Sequence, residues 1–185
     1  NWQSIWLNRM VSPSRRGNSM GKRSNGFERK ERDFYPTIDP SAIDPIAGFV
    51  LYKNYYEPCV GDGQLINLLD ELAVCTGSSD VEKDAARLVR KDLAGADLFI
   101  TNPPYSWPIL EPILFNLSAL LPTLLLLPSD MMHNKRMSVH MKRCKTVWSV
   151  GRLYWQENKI KGKDNYCWYL FGDKSVPTNF IGRKT

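Results

Sequence analysis

From Tyr35 onward, short apolar runs alternate with turns and helix-period stretches, and no segment repeats. That rhythm is characteristic of α/β proteins. It predicts a helix over 41–53, a first strand over 55–58, a glycine turn at Gly61-Asp62-Gly63, a helix over 64–72 and a second strand over 73–78. A third strand is expected around 87–90. A fourth, over 97–101, must stop at Pro103-Pro104, because each proline removes a backbone donor and fixes φ. A helix over 109–121 follows, and 123–127 is so continuously apolar that it reads as a central strand buried on both faces. Two β-rich runs, 146–155 and 166–172, flank the polar stretch 156–165 and read as a terminal antiparallel pair. Residues 1–33, rich in Arg, Lys, Ser, Gly and Asn, show neither period and read as a flexible basic arm.

Composition narrows this picture. A chain of 185 residues, 43% of them hydrophobic, fits one domain with a real core. The expected division is the arm 1–33, a catalytic domain over 34–174 and a tail over 175–185. Lys and Arg number 25 against 19 Asp and Glu, a net charge of +6 that favours approach to a polyanion. Cys59, Cys75, Cys144 and Cys167 are scattered and accompanied by only two histidines, so they indicate neither a zinc site nor a disulfide framework, and no metal is expected. The first thirty residues contain no apolar core of a signal peptide, and a cytoplasmic location is expected. The stretch 109–128 is broken by Glu111, Pro112, Asn116 and Pro122, whereas a membrane helix needs about 20 apolar residues.

The chemistry concentrates in two places. Asn102-Pro103-Pro104-Tyr105 follows an apolar strand, and the paired prolines hold the chain after Asn102 in one shape. Such a turn can aim the Asn102 side-chain oxygen and the Pro103 carbonyl at one small target, with the flat face of Tyr105 beside it. Two acceptors that hold both hydrogens of an exocyclic amine pull its nitrogen toward a tetrahedral form and expose the lone pair. The second place is Glu57-Pro58-Cys59-Val60-Gly61-Asp62-Gly63, where glycines let the backbone turn tightly and approach a ligand. A nicotinamide-type GxGxxG fails here, because no third glycine follows Gln64-Leu65-Ile66.

Asn102 to Tyr105 resembles the catalytic motif of the class I N6-adenine methyltransferases, and the likeness to their small phage-type members extends over about 33–173. The resemblance implies a Rossmann-like methyltransferase fold with a mostly parallel seven-stranded sheet and S-adenosyl-L-methionine as cofactor. It implies DNA as substrate, with RNA as an alternative. Asn102 and Pro103 would bind the target amine, Pro104 would stiffen the turn, and Tyr105 would stack on a flipped base. Glu57, Pro58, Gly61 and Gly63 would line the methionine end of the donor, with Asp62 beside them. Phe34-Tyr35-Pro36-Thr37 is similar to the N-terminal donor-binding motif of phage-type relatives. Asp80, with Glu82 as competitor, is placed for ribose hydroxyls, and Asp92 for the donor adenine. The run 162–171 resembles the last strand of the same enzymes, with its aromatics read as core.

Only residues 64–101 separate Gly63 from Asn102, which leaves no room there for a target-reading domain and implies borrowed or loose target choice. The segment 129–145 offers Lys135, Arg136, Lys142 and Arg143 to nucleic-acid phosphates, or else is a solvated helix with a Met-lined inner face. Two other readings stay open: methylation of a ribosomal RNA base or a protein glutamine amide, and a non-catalytic nucleic-acid-binding relic of the fold.

Overall fold

A computed structural model of the chain describes residues 35–80 and 85–183. The basic arm, Phe34 and Glu82 lie outside the described residues. Seven strands form one sheet: β1 Asn54–Glu57, β2 Val74–Ser78, β3 Leu98–Thr101, β4 Thr123–Pro128, β5 Cys144–Tyr154, β6 Lys161–Phe171 and β7 Asn179–Ile181, in the order β2-β1-β3-β4-β6-β5-β7. Every neighbouring pair is parallel except the two that involve β6, which therefore runs against the other six. The helices are α1 Ala47–Val50, α2 Gln64–Leu69, α3 Trp107–Leu120 and α4 Ser138–Met141.

Strand alternation builds a core on each face. Tyr55, Ile100, Leu124, Leu126, Trp148, Trp168 and Leu170 point to one side, under α2 and the N-terminal strap 35–50. On the other side Leu125, Leu127, Cys167, Tyr169 and Phe171 meet Leu110 and Leu114 of α3. Tyr56 and Phe99 meet Ile113 and Leu117 of the same helix. This double burial is why β4 reads as an unbroken apolar run.

Three expectations are corrected. Residues 87–90 form no strand: 3-10 turns span Ala85–Arg87 and Arg90–Asp92, and Asn116 of α3 donates to the Ala85 and Leu88 carbonyls at 3.3 and 3.1 Å. A helix side chain thus takes acceptors that a ladder would have used. The helix over 41–53 breaks into a 3-10 turn at Pro40–Ala42 and the single turn of α1, because Pro45 has no amide to donate. The polar stretch 156–165 is half strand, because β6 begins at Lys161. β7 adds a further strand beside β5.

β1 lies between β2 and β3, so the strand order reverses there, the point at which open α/β sheets place a ligand crevice beyond the carboxyl ends of the strands, here β1 and β3. The glycine turn, Asp80, the proline turn and the basic segment follow β1, β2, β3 and β4 respectively, all at that edge.

Candidate active site

The strand-to-turn step after β3 delivers Asn102, and the strap fixes its orientation. Its Nδ2 donates to the Tyr35 carbonyl at 2.8 Å and to the Thr37 hydroxyl at 3.1 Å. A carbonyl only accepts, so the amide has one satisfactory orientation and Oδ1 is left as the outward acceptor. That oxygen receives the Tyr105 hydroxyl at 2.6 Å. Pro103 is buried and Pro104 half-buried, which braces the turn. The Tyr105 ring is nearly parallel to that of Tyr35, with 6.3 Å between centroids and 14° between planes. Tyr35 also meets Trp155, Tyr105 meets Tyr166, and Trp155 packs edge-on against Tyr166 at 4.9 Å. Burial pushes the Tyr166 phenol up to about 12, so that ring stands uncharged in the wall.

The strap is itself pinned. Asp39 accepts from the Ser41 amide and hydroxyl through Oδ1 and from the Tyr154 amide of β5 through Oδ2, at 3.0, 2.7 and 3.2 Å. Trp168 of β6 donates its indole N–H to the Ala42 carbonyl at 2.6 Å. Tyr35, Pro36 and Thr37, expected to line the donor, are therefore brought onto Asn102. Asp39 was absent from the sequence reading although Asp-Pro-Ser is a recognisable turn and cap signature.

After β1 the chain makes its second functional turn. Gly61 and Gly63 have φ of 51° and 79°, the left-handed region that glycine enters without steric cost. The turn is closed by Gly63 N–H donating to the Val60 carbonyl and tied to β2 by Val60 N–H donating to Ser79. Pro58 is buried, and the exposed Asp62 accepts from the Gln64 amide at the start of α2 at 3.4 Å. Glu57 is 1% exposed. Its Oε1 accepts from the Cys59 amide at 3.3 Å, whereas Oε2 and the Thr101 hydroxyl oxygen have no hydrogen-bond partner among the described residues. Burial pushes the Glu57 carboxyl up to about 8; the Thr101 hydroxyl, close to the carboxyl but outside hydrogen-bonding geometry, and the Cys59 amide pull it back, and Asp80 adds a further upward push. A buried carboxyl oxygen without a hydrogen bond, on the strand that leads into a glycine turn with open space at Gly63, fits the cationic amino-acid end of a donor such as S-adenosylmethionine, which would recover the desolvation cost of the carboxylate.

The remaining sequence candidates divide. Asp80 is half-buried at the end of β2 on the same edge. Asp92 is exposed in its 3-10 turn, where Oδ2 accepts from the Val89 amide at 3.1 Å; no third strand carries it to the crevice. The basic segment is a succession of 3-10 turns ending in α4, with Met137 buried and Met131, Met132 and Met141 against the core. Lys135, Arg136 and Lys142 are exposed, and Arg143 lies over the Phe115 ring at 5.9 Å. Among the described residues no three His, Cys, Asp or Glu side chains are grouped to hold a metal, and no helix is long and apolar enough to cross a membrane.

No protein-family model and no curated protein matches the sequence. Solved structures do resemble it. A modification subunit assigned to a type I restriction enzyme of Vibrio vulnificus aligns over 82% of this chain and 47% of its own, with 13% identity and a TM-score of 0.53. A dimethyladenosine transferase from Plasmodium falciparum aligns over 73% and 62%, with 18% identity and a TM-score of 0.48. A Listeria monocytogenes protein assigned as a class I S-adenosylmethionine-dependent methyltransferase aligns over 78% and 62%, with 9% identity and a TM-score of 0.45. The chain spans about half the length of the first of these. Its fold is the Rossmann-like methyltransferase fold, an α/β sheet that is mostly parallel.

Proposed function

We propose that this chain transfers a methyl group from S-adenosylmethionine to the N6 amine of an adenine in DNA. The observation that carries the reading is the oriented amide of Asn102: its two hydrogens are committed to Tyr35 and Thr37, and its oxygen, which accepts from the Tyr105 hydroxyl, is left as an acceptor for an N–H or O–H group. The Tyr105 hydroxyl occupies the position that a target amine hydrogen would take. When the amine enters, Tyr105 gives up this bond and lays its ring against the base, while the Pro103 carbonyl takes the second hydrogen. Glu57, Pro58, Gly61, Asp62 and Gly63 hold the amino-acid end of the donor and Asp80 its ribose. Bound there, the donor supplies an already activated methyl group. The chain therefore contributes orientation and electrostatics, and the spare proton leaves to water afterwards.

DNA is favoured by the net charge of +6 and by Lys135, Arg136 and Lys142 standing exposed after β4, on the edge that carries Asn102. The likeness to a subunit of a larger assembly supports a partner that supplies target choice. The test is incubation with methyl-labelled donor and, separately, DNA, RNA and protein, followed by identification of the labelled atom. Label on adenine N6 of DNA is expected, and label on a glutamine amide or only on ribosomal RNA rejects the assignment. Asn102→Ala should lower transfer by about 10²-fold or more with donor affinity nearly unchanged. Equal loss of both would make the tetrad structural.

A further inference from the structure

The hairpin β5–β6 outruns the sheet. β6 pairs with β4 only as far as Tyr166 against Pro128, and from there β5 and β6 pair with each other alone, Arg152 with Asn165 and Tyr154 with Lys161. Five residue steps at about 3.3 Å each carry the tip roughly 15 Å beyond the edge that holds the crevice. A register shift spans Ser149 to Gly151, and Gly151, with φ of 97°, occupies a backbone shape that side chains rarely adopt. The tip is a closed turn: Lys159 N–H donates to the Gln156 carbonyl at 3.0 Å with Lys159 at φ of 55°, and Asn158 accepts from the Ile160 amide at 3.0 Å. Arg152, Lys159, Lys161 and Lys163 are exposed there against Glu157 and Asp164. Between two of the lysines stands Ile160, 62% exposed.

The root of this hairpin is the aromatic wall of the Asn102 site. Trp155, 3% exposed, follows β5, and Tyr166 sits where β6 leaves β4; these two rings meet Tyr35 and Tyr105. A rigid two-stranded arm with an apolar tip flanked by cations is thus mounted directly on the candidate target pocket. We infer that this tip engages duplex DNA, the lysines following phosphates while Ile160 enters the base stack beside the flipped adenine. The inference rests on the proposed function for its choice of DNA. An adenine amine inside a duplex is out of reach until its base leaves the stack, and an inserted apolar side chain offsets part of that unstacking.

The test uses the full chain with a short labelled duplex of mixed sequence, the same strand alone, and an RNA duplex, measuring equilibrium binding over a salt series. The combined change Lys159→Ala, Lys161→Ala and Lys163→Ala should weaken duplex DNA binding about tenfold and reduce the slope of log affinity against log salt by about 2 to 3. Ile160→Ser should leave that slope alone and lower the emission of 2-aminopurine placed at the target position. All four side chains are exposed, so unchanged melting temperature and donor affinity verify the fold. Unchanged duplex affinity and salt slope in the lysine variant overturn the proposal, as does tighter binding of the RNA duplex or a wild type that does not bind DNA. Binding is read without transfer, so a wild type that binds DNA through the hairpin but labels no adenine refutes the proposed reaction and leaves the hairpin assignment standing.

Discussion

Asn102 and Tyr105 are three residues apart and hydrogen-bonded to each other at 2.6 Å, so the pocket's acceptor is already engaged before a target arrives. A target amine must displace the phenol, and a neutral hydrogen bond of this kind contributes roughly 0.5–1.5 kcal/mol. Tyr105→Phe keeps the ring and removes the competitor; it should lower the KM for the target by about two- to tenfold, read by steady-state transfer. Tyr105→Ala, which also removes the stacking face, should raise that KM instead. Glu57 gives the second prediction at this scale. Its carboxyl moves from an ordinary 4.5 up to about 8, chiefly through burial. Between those values the folded chain holds a proton that the unfolded chain has lost, so stability falls as pH rises through the window. Melting of the donor-free protein followed from pH 5 to pH 8 should therefore decline by several degrees, and Glu57→Gln should flatten that part of the profile. Donor affinity should run the opposite way, rising toward pH 8 as the carboxylate that pairs with a cation becomes available.

At the scale of elements, the site depends on a strap that belongs to neither functional motif. Asp39 ties its turn to Ser41 and to β5, and the strap in turn holds Asn102 through Tyr35 and Thr37. Asp39→Ala should cost about 1–2 kcal/mol of stability, the loss of a cap and a long-range bond, seen in chemical denaturation. Because it also loosens Asn102, it should lower kcat more than donor affinity. Among the strands that sequence located, β1, β3 and β4 were the most legible, because they are buried on both faces and each ends in a glycine or proline turn. The strand around 87–90 failed for the converse reason: four residues with two adjacent apolar side chains, Leu88 and Val89, look like a short strand, and nothing local reveals that Asn116, far along the chain, takes the Leu88 carbonyl and that of Ala85. Trp155 and the long-range bond of Asp39 were missed at the site on the same ground, although the Asp39 turn itself carries a local signature. Their partners, the Tyr154 amide and the ring of Tyr35, come from distant segments that only the fold brings together.

For the whole molecule, the arrangement separates two halves of one crevice: the turn after β1, with Glu57 and the glycines, on one side of the strand-order reversal, and the turn after β3, with Asn102 and its aromatic wall, on the other. The glycine turn and the proline turn were each readable alone, but their adjacency follows from β1 and β3 being hydrogen-bonded neighbours, Tyr55 with Leu98 and Tyr56 with Phe99. If the halves hold different molecules, ligand effects on global stability must separate in the same way. Donor at about a hundred times its dissociation constant should stabilise the fold by roughly 2.7 kcal/mol, or about 5–10 °C in melting temperature for a chain of this size. Gly63→Val forces a branched side chain into the left-handed region and should abolish that shift, whereas Asn102→Ala should preserve it while losing transfer. A thermal-shift series across these two variants and the parent, with and without donor, checks the division. A shift lost equally in both variants would mean that the donor spans both turns and that Asn102 contributes to holding it.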